Sequence, residues 1–211
     1  MRPNEKNAPL WLEWARKVQS IGQSGLAYST NDYDRERYTR LIEIVADIVH
    51  SHTGLPSAAL VENFAVQPGY ATPKVGVRGA VIRDGEILLV RERDDGCWCM
   101  PGGWADVGEY PSEAAAREVL EESGLIVIPR KLIGIFDANR VGEPLSFYHA
   151  YKVVFLCDIA GGELRSSDET PEVGFFDPDD LPELSHERTG ERHIVEVFAH
   201  YMDANRPAAF D

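Results

Sequence analysis

The sequence predicts an α/β fold, in which helices cover a mixed β-sheet and a small helical domain precedes it. The 211 residues suffice for one full-sized domain and a small second one. Apolar residues in the first third recur at helical spacing, whereas short apolar runs separated by turn residues prevail from Lys74 onward. Because those runs alternate with further helical segments, we expect helices on the faces of a sheet.

Three helices are expected in the N-terminal third. Asn31 or Asp32 can cap the second helix, and Gly54-Leu55-Pro56 ends it. The expected ranges are about 9–20, 31–52 and 57–64. A linker containing proline and glycine follows. We therefore place the helical domain at residues 1–68 and the sheet domain at residues 69–211.

The sheet domain begins with a hairpin. Residues 75–82 and 86–90 are strand-like, and Asp84-Gly85 between them is a strong two-residue turn. A helix is expected over residues 112–123, with Ser112 as its cap. Further strands are expected at about 98–100, 126–137, 147–158 and 172–177, and a closing helix at about 191–203.

Charge and composition exclude several classes of protein. Residues 1–70 carry 7 basic and 8 acidic side chains, and residues 71–211 carry 14 and 27. The chain lacks the basic surface of a nucleic-acid-binding protein, and its acidity would repel a phosphorylated substrate unless cations intervened. No apolar run approaches the roughly 20 residues of a membrane span, and no signal peptide is recognisable. Three cysteines suit a reducing compartment, so we expect a cytoplasmic protein with no membrane partner.

An acidic cluster lies within residues 103–125. On the expected helix Glu118, Glu121 and Glu122 stand at positions i, i+3 and i+4, so they share one face. The apolar residues expected to pack on the core opposite them are Ala116, Val119 and Leu120.

The position of these glutamates is unfavourable without a counter-ion. The last turns of a helix favour cations over anions, and Glu118 and Glu122 repel each other. Each effect costs only some tenths of a kcal/mol, and a solvated charged face is the ordinary alternative. A divalent cation would remove both penalties, and carboxylate oxygens suit Mg²⁺ or Mn²⁺.

The same segment resembles a known family. Residues 103–125 match the Nudix box, Gly-x5-Glu-x7-Arg-Glu-hydrophobic-x-Glu-Glu-x-Gly-hydrophobic, at every fixed position. The resemblance implies a Nudix-type α/β/α sandwich. It also implies an enzyme that uses Mg²⁺ or Mn²⁺ to hydrolyse the diphosphate bond of a nucleoside diphosphate linked to another group.

The resemblance further implies roles for the acidic residues. Glu118, Glu121 and Glu122 are similar to the family's metal ligands, with help from the backbone carbonyl of Gly102 or Gly103. Glu118 is also a candidate base. Water would attack one phosphorus, a metal ion would lower the pKa of that water, and a carboxylate would accept its proton.

Two more acids follow from the resemblance. Glu109 is similar to the residue that pairs with Arg117 and holds the glycine-rich loop, residues 102–108, on the helix. This role is structural. The family often uses a further acid on a later loop as ligand or base. Glu169 fits that position best, with Asp168 and Glu172 as rivals.

Similarity extends beyond the box. Residues 70–81, 88–93, 98–109 and 169–189 resemble a bacterial subgroup with an N-terminal helical domain, which includes enzymes acting on ADP-ribose and on CDP-choline. We therefore expect an ADP-ribose pyrophosphatase that yields AMP and ribose 5-phosphate. A CDP-choline pyrophosphatase is the near alternative and an RNA-end pyrophosphohydrolase a distant one. A non-catalytic ligand-sensing regulator of this fold is the alternative from another class. Such a protein would lack box acids and carry a basic DNA-binding module, whereas this chain keeps every box acid and has no basic module.

Several side chains could contact the substrate. Guanidinium groups suit phosphate oxygens, and an indole can stack on a base. The candidates are Arg78, Arg91, Arg93 and Trp104. The alternatives are that two of the arginines face outward from strands and that the tryptophan packs beneath the loop. Cys97 and Cys99, with only Cys157 elsewhere, are too few for a zinc site.

The helical domain is rich in aromatic residues. Its low net charge argues against nucleic-acid binding. We expect these residues to cover the sheet domain or to form the interface of a homodimer. They are Trp11, Trp14, Tyr28, Tyr33 and Tyr38.

Overall fold

The computed structural model describes residues 9–65, 69–138 and 149–211, and it confirms the fold class. The strand expected to start at residue 147 is described from residue 150, and residues 147 and 148 lie outside the described ranges. Backbone contacts divide the chain into two compact units. One contains the helices before residue 74, and the other contains the sheet.

The helical unit consists of α1 (Leu10–Tyr28), α2 (Asp32–Thr53) and α3 (Ser57–Ala65). Asn31 caps α2 by accepting a hydrogen bond from the Asp34 backbone N–H at 2.8 Å, and Gly54 ends the helix in the left-handed conformation. The core of the unit contains residues from all three helices. They include Ala15, Ile42, Val45, Val49, Leu60 and Phe64.

Helix α1 continues well past its expected end near residue 20. Its last turns contain Gly22 and Gly25, which have low helix propensity. A Cβ atom on Gly25 would lie 2.3 Å from the Tyr38 ring, so glycine allows α2 to pack closely against α1. Tertiary packing thus overrides local propensity in this helix.

The sheet unit contains seven described strands and two helices. The strands are β1 (Lys74–Arg83), β2 (Glu86–Arg91), β3 (Trp98–Cys99), β4 (Leu125–Asp137), β5 (Ala150–Gly162), β6 (Glu172–Phe176) and β7 (Ala209–Phe210). The helices are α4 (Pro111–Ser123) and α5 (Glu191–Met202). The strand order is β3-β2-β1-β5-β4-β7, and β6 also pairs with β2. The sheet is mixed, since β1 and β5 are parallel whereas β4 and β5 are antiparallel.

Helices α4 and α5 cover opposite faces of this sheet. Val119 of α4 packs with Val81 and Leu88, whereas Ile194 of α5 packs with Ala80 and neighbouring residues. Because successive side chains of a strand point to opposite faces, adjacent residues of β1 contribute to different cores. The arrangement is therefore an α/β/α sandwich.

Two local expectations for α4 were wrong. Leu120 does not pack into the core, since it is 39% exposed and the buried face contains Ala115 and Val119 instead. Ser112 is not the cap, because the helix begins one residue earlier at Pro111, whose fixed φ suits the first helical position. The Glu113 carboxylate accepts the Tyr110 backbone N–H at 3.4 Å.

Within the described ranges, no helix combines the length and the apolar character needed to cross a membrane.

Substitution of Gly79 should test how closely α4 packs on β1. A Cβ atom there would lie 2.3 Å from Val119 Cγ2, so Gly79→Ala should lower the free energy of unfolding by about 1–3 kcal/mol. Urea denaturation measures this change. Adding Val119→Ala should make the double variant less destabilised than the sum of the single variants. Gly161→Ala, whose nearest neighbour would be 4.0 Å away, is the matched control. A strictly additive pair would contradict the close contact.

Candidate active site

The glycine-rich loop is held on the sheet because β1 and β2 separate after their hairpin. β2 pairs with β3, and the chain then turns to run beside β1. The N–H groups of Val77 and Gly79 donate to the carbonyls of Gly103 and Pro101, both at 2.9 Å. The Ala105 N–H donates to the Val75 carbonyl at 3.0 Å. Residues 101–105 thus act as a short antiparallel neighbour of β1.

This pairing brings Gly102 against the C-terminal half of α4. The Gly102 N–H donates to Glu122 Oε2 at 2.9 Å. Gly102 has a φ of 150°, and a Cβ atom there would lie 2.1 Å from the Val77 carbonyl oxygen. Only glycine therefore lets the loop make this contact.

Gly103 faces a second glutamate of the same helix. A Cβ atom on Gly103 would lie 2.6 Å from Glu118 Oε1. The Glu118 carboxylate consequently packs directly on the Gly103 backbone. Two of the three box glutamates and both glycines form one compact group of oxygen atoms and backbone.

Arg117 connects this group to Glu109 at the C-terminal end of the loop. Its Nε and Nη2 atoms donate to the two oxygens of Glu109 at 2.8 and 3.0 Å, in a bidentate ion pair. Its Nη1 atom donates to Glu118 at 2.9 Å and to Glu121 at 3.0 Å. Arg117 therefore compensates part of the negative charge on all three of these carboxylates.

Burial affects the box glutamates unequally. Glu122 is 7% exposed, and burial raises its pKa to about 7, although the nearby Arg78 guanidinium opposes the shift. Burial also raises the pKa of Glu118, and the hydrogen bond from Arg117 opposes this rise. The Glu121 side chain is 57% exposed. Two of the three carboxylates are thus costly to ionise as they stand, because water is excluded from them.

The group offers the donor atoms that a hard cation prefers. Glu118, Glu121 and Glu122 share one side of α4, and the Gly103 backbone packs on Glu118, so carboxylate and backbone oxygens are the donors at hand. In the described part of the chain, however, no group of three or more His, Cys, Asp or Glu side chains is already arranged to hold a metal ion. Glu118 and Glu121 would have to exchange Arg117 for the cation.

The loop that contains Glu169 is attached to the end of α4. Thr170 is fully buried, and its hydroxyl donates to the Glu122 backbone carbonyl at 2.9 Å. The Glu169 carbonyl accepts the Arg93 N–H at 3.1 Å, so Arg93 and Glu169 are brought together through their backbones. Both side chains are exposed.

The rival acids near Glu169 have different environments. Glu172 forms an ion pair with Arg91 at 2.5 Å, and Arg91 Nε also donates to the Gly96 carbonyl. Asp168 is exposed. Arg91 is therefore engaged with Glu172 and the backbone, whereas Arg93 extends into solvent beside Glu169.

Arg78 is placed beneath the loop. It is 8% exposed, and its Nη1 atom donates to the carbonyls of Met100, at 3.3 Å, and Gly102. Among the described residues its Nε atom has no hydrogen-bond partner. These contacts support the loop from below.

Trp104 has a different environment, since it follows Gly103 and is 56% exposed. The Lys74 ammonium lies 5.9 Å from its ring centroid. The indole is thus about half exposed, and its ring lies over β1, where a Cβ atom on Gly76 would be 3.7 Å from it, so it does not pack beneath the loop.

Sequence reasoning missed the polar network through which residues 185–189 hold the β2–β3 connection and Met100. Arg188 forms ion pairs with Glu92 at 3.1 Å and Asp95 at 3.0 Å, and the Ser185 hydroxyl donates to Asp95 at 2.6 Å. The buried Thr189 hydroxyl accepts the Met100 N–H at 3.0 Å. The sequence Ser-x-x-Arg-Thr indicates only a local cap, because the acids it contacts are about 90 residues away.

The three cysteines are free. Cys99 and Cys157 are buried, and Cys97 is partly exposed. Burial raises the pKa of the Cys157 thiol to about 12, and it also raises that of Cys99.

Comparison with known families gives two matches that together cover most of the chain. Residues 9–64 match a family described as a UDP-X-like, N-terminal oligomerisation domain, named Nudix_N. Residues 72–198 match the NUDIX domain family. The second match alone spans more than half of the chain.

Individual relatives agree with these matches. The "Putative ADP-ribose pyrophosphatase YjhB" of Bacillus subtilis (strain 168) is 35% identical over 201 residues, which are 95% of this chain and 97% of the relative. A crystal structure of a UDP-X diphosphatase has a TM-score of 0.63 and 29% identity, covering 95% of this chain and 98% of that one. A crystal structure of an ADP-ribose pyrophosphatase from Streptococcus suis 89-1591 has a TM-score of 0.59 and 34% identity, covering 66% of this chain and 100% of that one.

Removal of the Glu109–Arg117 pair should destabilise the protein in a pH-dependent way. The hydrogen bonds from Arg117 lower the pKa of Glu109 below its ordinary value of 4.5. The contribution of the pair is therefore present above pH 4.5 and is lost as the pH falls through the lowered pKa. Glu109→Gln should lower the free energy of unfolding at pH 7, and this difference should shrink under acid, as measured by urea denaturation.

Glu43→Gln is the matched control for that experiment. It removes the Arg40–Glu43 pair, whose side chains are 72% and 45% exposed, so it should have the smaller effect at pH 7. Equal effects of the two substitutions at pH 7 would show that the Glu109–Arg117 pair does not hold the loop.

Proposed function

This chain belongs to the Nudix hydrolase family, and from that premise we propose that it hydrolyses ADP-ribose to AMP and ribose 5-phosphate with Mg²⁺ or Mn²⁺. The observation that carries the proposal is the packing of Glu118 and Glu122 on the backbone of Gly103 and Gly102. The relative named for ADP-ribose that matches nearly the whole chain supports this choice of substrate.

The proposed metal ligands are Glu118, Glu121, Glu122 and the Gly103 carbonyl. A bound cation would neutralise the clustered carboxylates, polarise the diphosphate and lower the pKa of the attacking water. It would also favour the ionised form of Glu122, whose pKa burial raises to about 7. Arg117 would remain paired with Glu109 through Nε and Nη2 while Nη1 leaves the two ligands.

Glu118 and Glu169 are the proposed proton acceptors. Water attacks one phosphorus of the diphosphate, the bond from that phosphorus to the bridging oxygen breaks, and the proton of the water passes to a carboxylate. The Glu118 side chain is 13% exposed and its pKa is raised by burial, so it is a stronger base than an ordinary carboxylate. Glu169 lies on a separate turn, which the Thr170 hydroxyl attaches to the Glu122 carbonyl.

The proposed substrate contacts differ in how accessible they are. Trp104, which follows Gly103, and Arg93, whose N–H binds the Glu169 carbonyl, are both exposed, so they suit a base and a phosphate respectively. Arg78 and Arg91 already bind backbone carbonyls, and Arg91 also binds Glu172. We therefore assign Arg78 and Arg91 to holding the loops and Trp104 and Arg93 to substrate.

A UDP-linked substrate is the second candidate. It is favoured by the UDP-X diphosphatase structure, which matches 95% of this chain, and by the description of the N-terminal family. The two candidates differ in the base and in the group attached to the diphosphate. A panel of ADP-ribose, UDP-sugars and CDP-choline with Mg²⁺ and Mn²⁺ separates them. If turnover is highest with a UDP-sugar, that compound replaces ADP-ribose as the proposed substrate. If no diphosphate is hydrolysed, the proposal is refuted.

Glu122→Gln should abolish metal-dependent turnover and leave the fold intact. Gln keeps an oxygen for the Gly102 N–H but cannot supply a carboxylate. Loss of a group that only orients a metal ligand costs about 10–100-fold, so loss of a ligand should cost more than roughly 100-fold. Steady-state kinetics measure turnover, and circular dichroism monitors the fold. Glu86→Gln, an exposed acid on β2, is the control. Near-normal activity of the Glu122 variant would sink the assignment.

We further propose that residues 1–68 form a dimerisation domain and residues 69–211 the catalytic domain. Helix α1 presents a row of exposed apolar side chains at spacings of four and seven residues, which places them on one face. They are Leu10, Trp14, Ile21 and Tyr28. Because the matching N-terminal family is described as an oligomerisation domain, we assign a second copy of this chain as the occupant.

Charged substitutions on this face should dissociate the dimer. Trp14→Glu combined with Ile21→Glu should convert a dimer to a monomer, because burial of unpaired like charges opposes association. Light scattering coupled to size exclusion measures the mass. Met202→Lys, at an exposed apolar position on α5, should leave the dimer intact. A dimer that survives the α1 substitutions would contradict this interface, and a monomeric wild-type protein would contradict the dimer itself.

A further inference from the structure

The segment before β6 closes the C-terminal end of α4. The last carbonyls of a helix lack partners within it, so other groups must satisfy them. The Leu120 carbonyl accepts the Gly124 N–H, and the Ser123 carbonyl accepts the Arg165 N–H, both at 2.9 Å. Of the two carbonyls between these in the sequence, that of Glu122 accepts the Thr170 hydroxyl at 2.9 Å.

Thr170 belongs to a compact turn that also contains Glu169. The Ser167 hydroxyl lies 2.8 Å from the Thr170 hydroxyl and accepts the N–H groups of Glu169 at 3.2 Å and Thr170 at 3.0 Å. The Ser167 N–H donates to the Thr170 carbonyl at 2.9 Å. The turn is therefore rigid, and the Thr170 hydroxyl is its side-chain attachment to α4.

The hydrogen bond from the Thr170 hydroxyl to the Glu122 carbonyl is buried, and it requires a hydroxyl donor at position 170. Thr170 is 0% exposed, so its hydroxyl would lack water if the partner were lost. The acceptor belongs to Glu122, the same residue whose carboxylate binds the Gly102 N–H. One residue of α4 thus contacts the glycine-rich loop through its side chain and the Glu169 turn through its backbone.

We propose that Thr170 is a positioning residue that holds Glu169 at the carboxylate group of α4. The proposal rests on the proposed function, because it assigns Glu169 a part in metal binding or proton transfer. Thr170 itself does not contact the substrate. Its hydroxyl fixes the distance between the Glu169 turn and the last turn of α4, and Glu169 reaches the site as a consequence.

Substitutions of Thr170 test this assignment in the full-length protein. Thr170→Val keeps the shape but removes the donor, whereas Thr170→Ser keeps the donor. We expect Thr170→Val to lower kcat roughly tenfold with KM changed less than about twofold, and to weaken binding of Mn²⁺ alone by calorimetry. Thr170→Ser should stay within about twofold of wild type on both measures. Equal impairment of the two variants would overturn the role of the hydroxyl.

A double-mutant cycle distinguishes positioning of Glu169 from a general effect on the fold. In a Glu169→Gln background, Thr170→Val should cost less than about twofold in kcat, because the residue it positions has already been lost. A full tenfold loss in that background would overturn the proposal. So would near-normal kcat and Mn²⁺ binding of Glu169→Gln alone, although hydrolysis by the Glu118 group would then still stand.

Two further variants complete the test. Thr53→Val removes a Thr hydroxyl that donates to the Val49 carbonyl at 2.8 Å in α2, and it should change neither kcat nor Mn²⁺ binding. Ser167→Ala loosens the turn without touching α4, so it supplies the test if Thr170→Val fails to fold, and it should reduce kcat and Mn²⁺ affinity in the same direction. Unchanged values for Ser167→Ala would contradict the proposal. If wild type hydrolyses no diphosphate, the proposed function fails, and the Mn²⁺ measurements still test Thr170.

Discussion

The contact between the glycine-rich loop and the acidic end of α4 is the interaction on which the rest of the site depends. It exists because β1 and β2 separate after their hairpin and residues 101–105 take the vacant edge of β1. Two glycines then let carboxylates approach the backbone to hydrogen-bonding or van der Waals distance. A Cβ atom at either position would overlap the strand or a glutamate. The fold thus fixes the site through backbone geometry.

Negative charge is concentrated at this contact at a considerable electrostatic cost. Burial disfavours the ionised forms of Glu118 and Glu122, and Arg117 compensates only part of the charge. The arrangement is therefore suited to a cation that displaces one arm of Arg117 while the bidentate pair with Glu109 keeps the loop in place. One arginine can thereby hold the loop and also release the Glu118 and Glu121 carboxylates.

Three separate segments stabilise the site from outside the box. Arg78 on β1 binds carbonyls of the loop, Thr189 binds the Met100 N–H, and Thr170 binds the Glu122 carbonyl. Each contact is buried and satisfies a backbone group that would otherwise lack a partner. The Arg188 ion pairs add a link to the β2–β3 connection. The rigidity of the site is consequently a property of the whole sheet unit.

The sequence by itself determined most of the helices and strands and the shared face of the three glutamates, because these depend on local spacing. Helical periodicity, the Asp84-Gly85 turn and the i, i+3, i+4 glutamates depend only on near neighbours, so the helices of both units and the carboxylate group could be predicted. Only the tertiary structure decided where α1 ends, that Leu120 faces solvent, that Arg78 lies beneath the loop, and that Thr170 contacts Glu122. The end of α1, the position of Arg78 and the Thr170 contact arise from contacts between residues 13 to 48 positions apart, and the energies of these contacts depend on burial. The local sequence pattern carries no information on such burial, since a threonine gives the same pattern whether its side chain is exposed or binds the end of a helix.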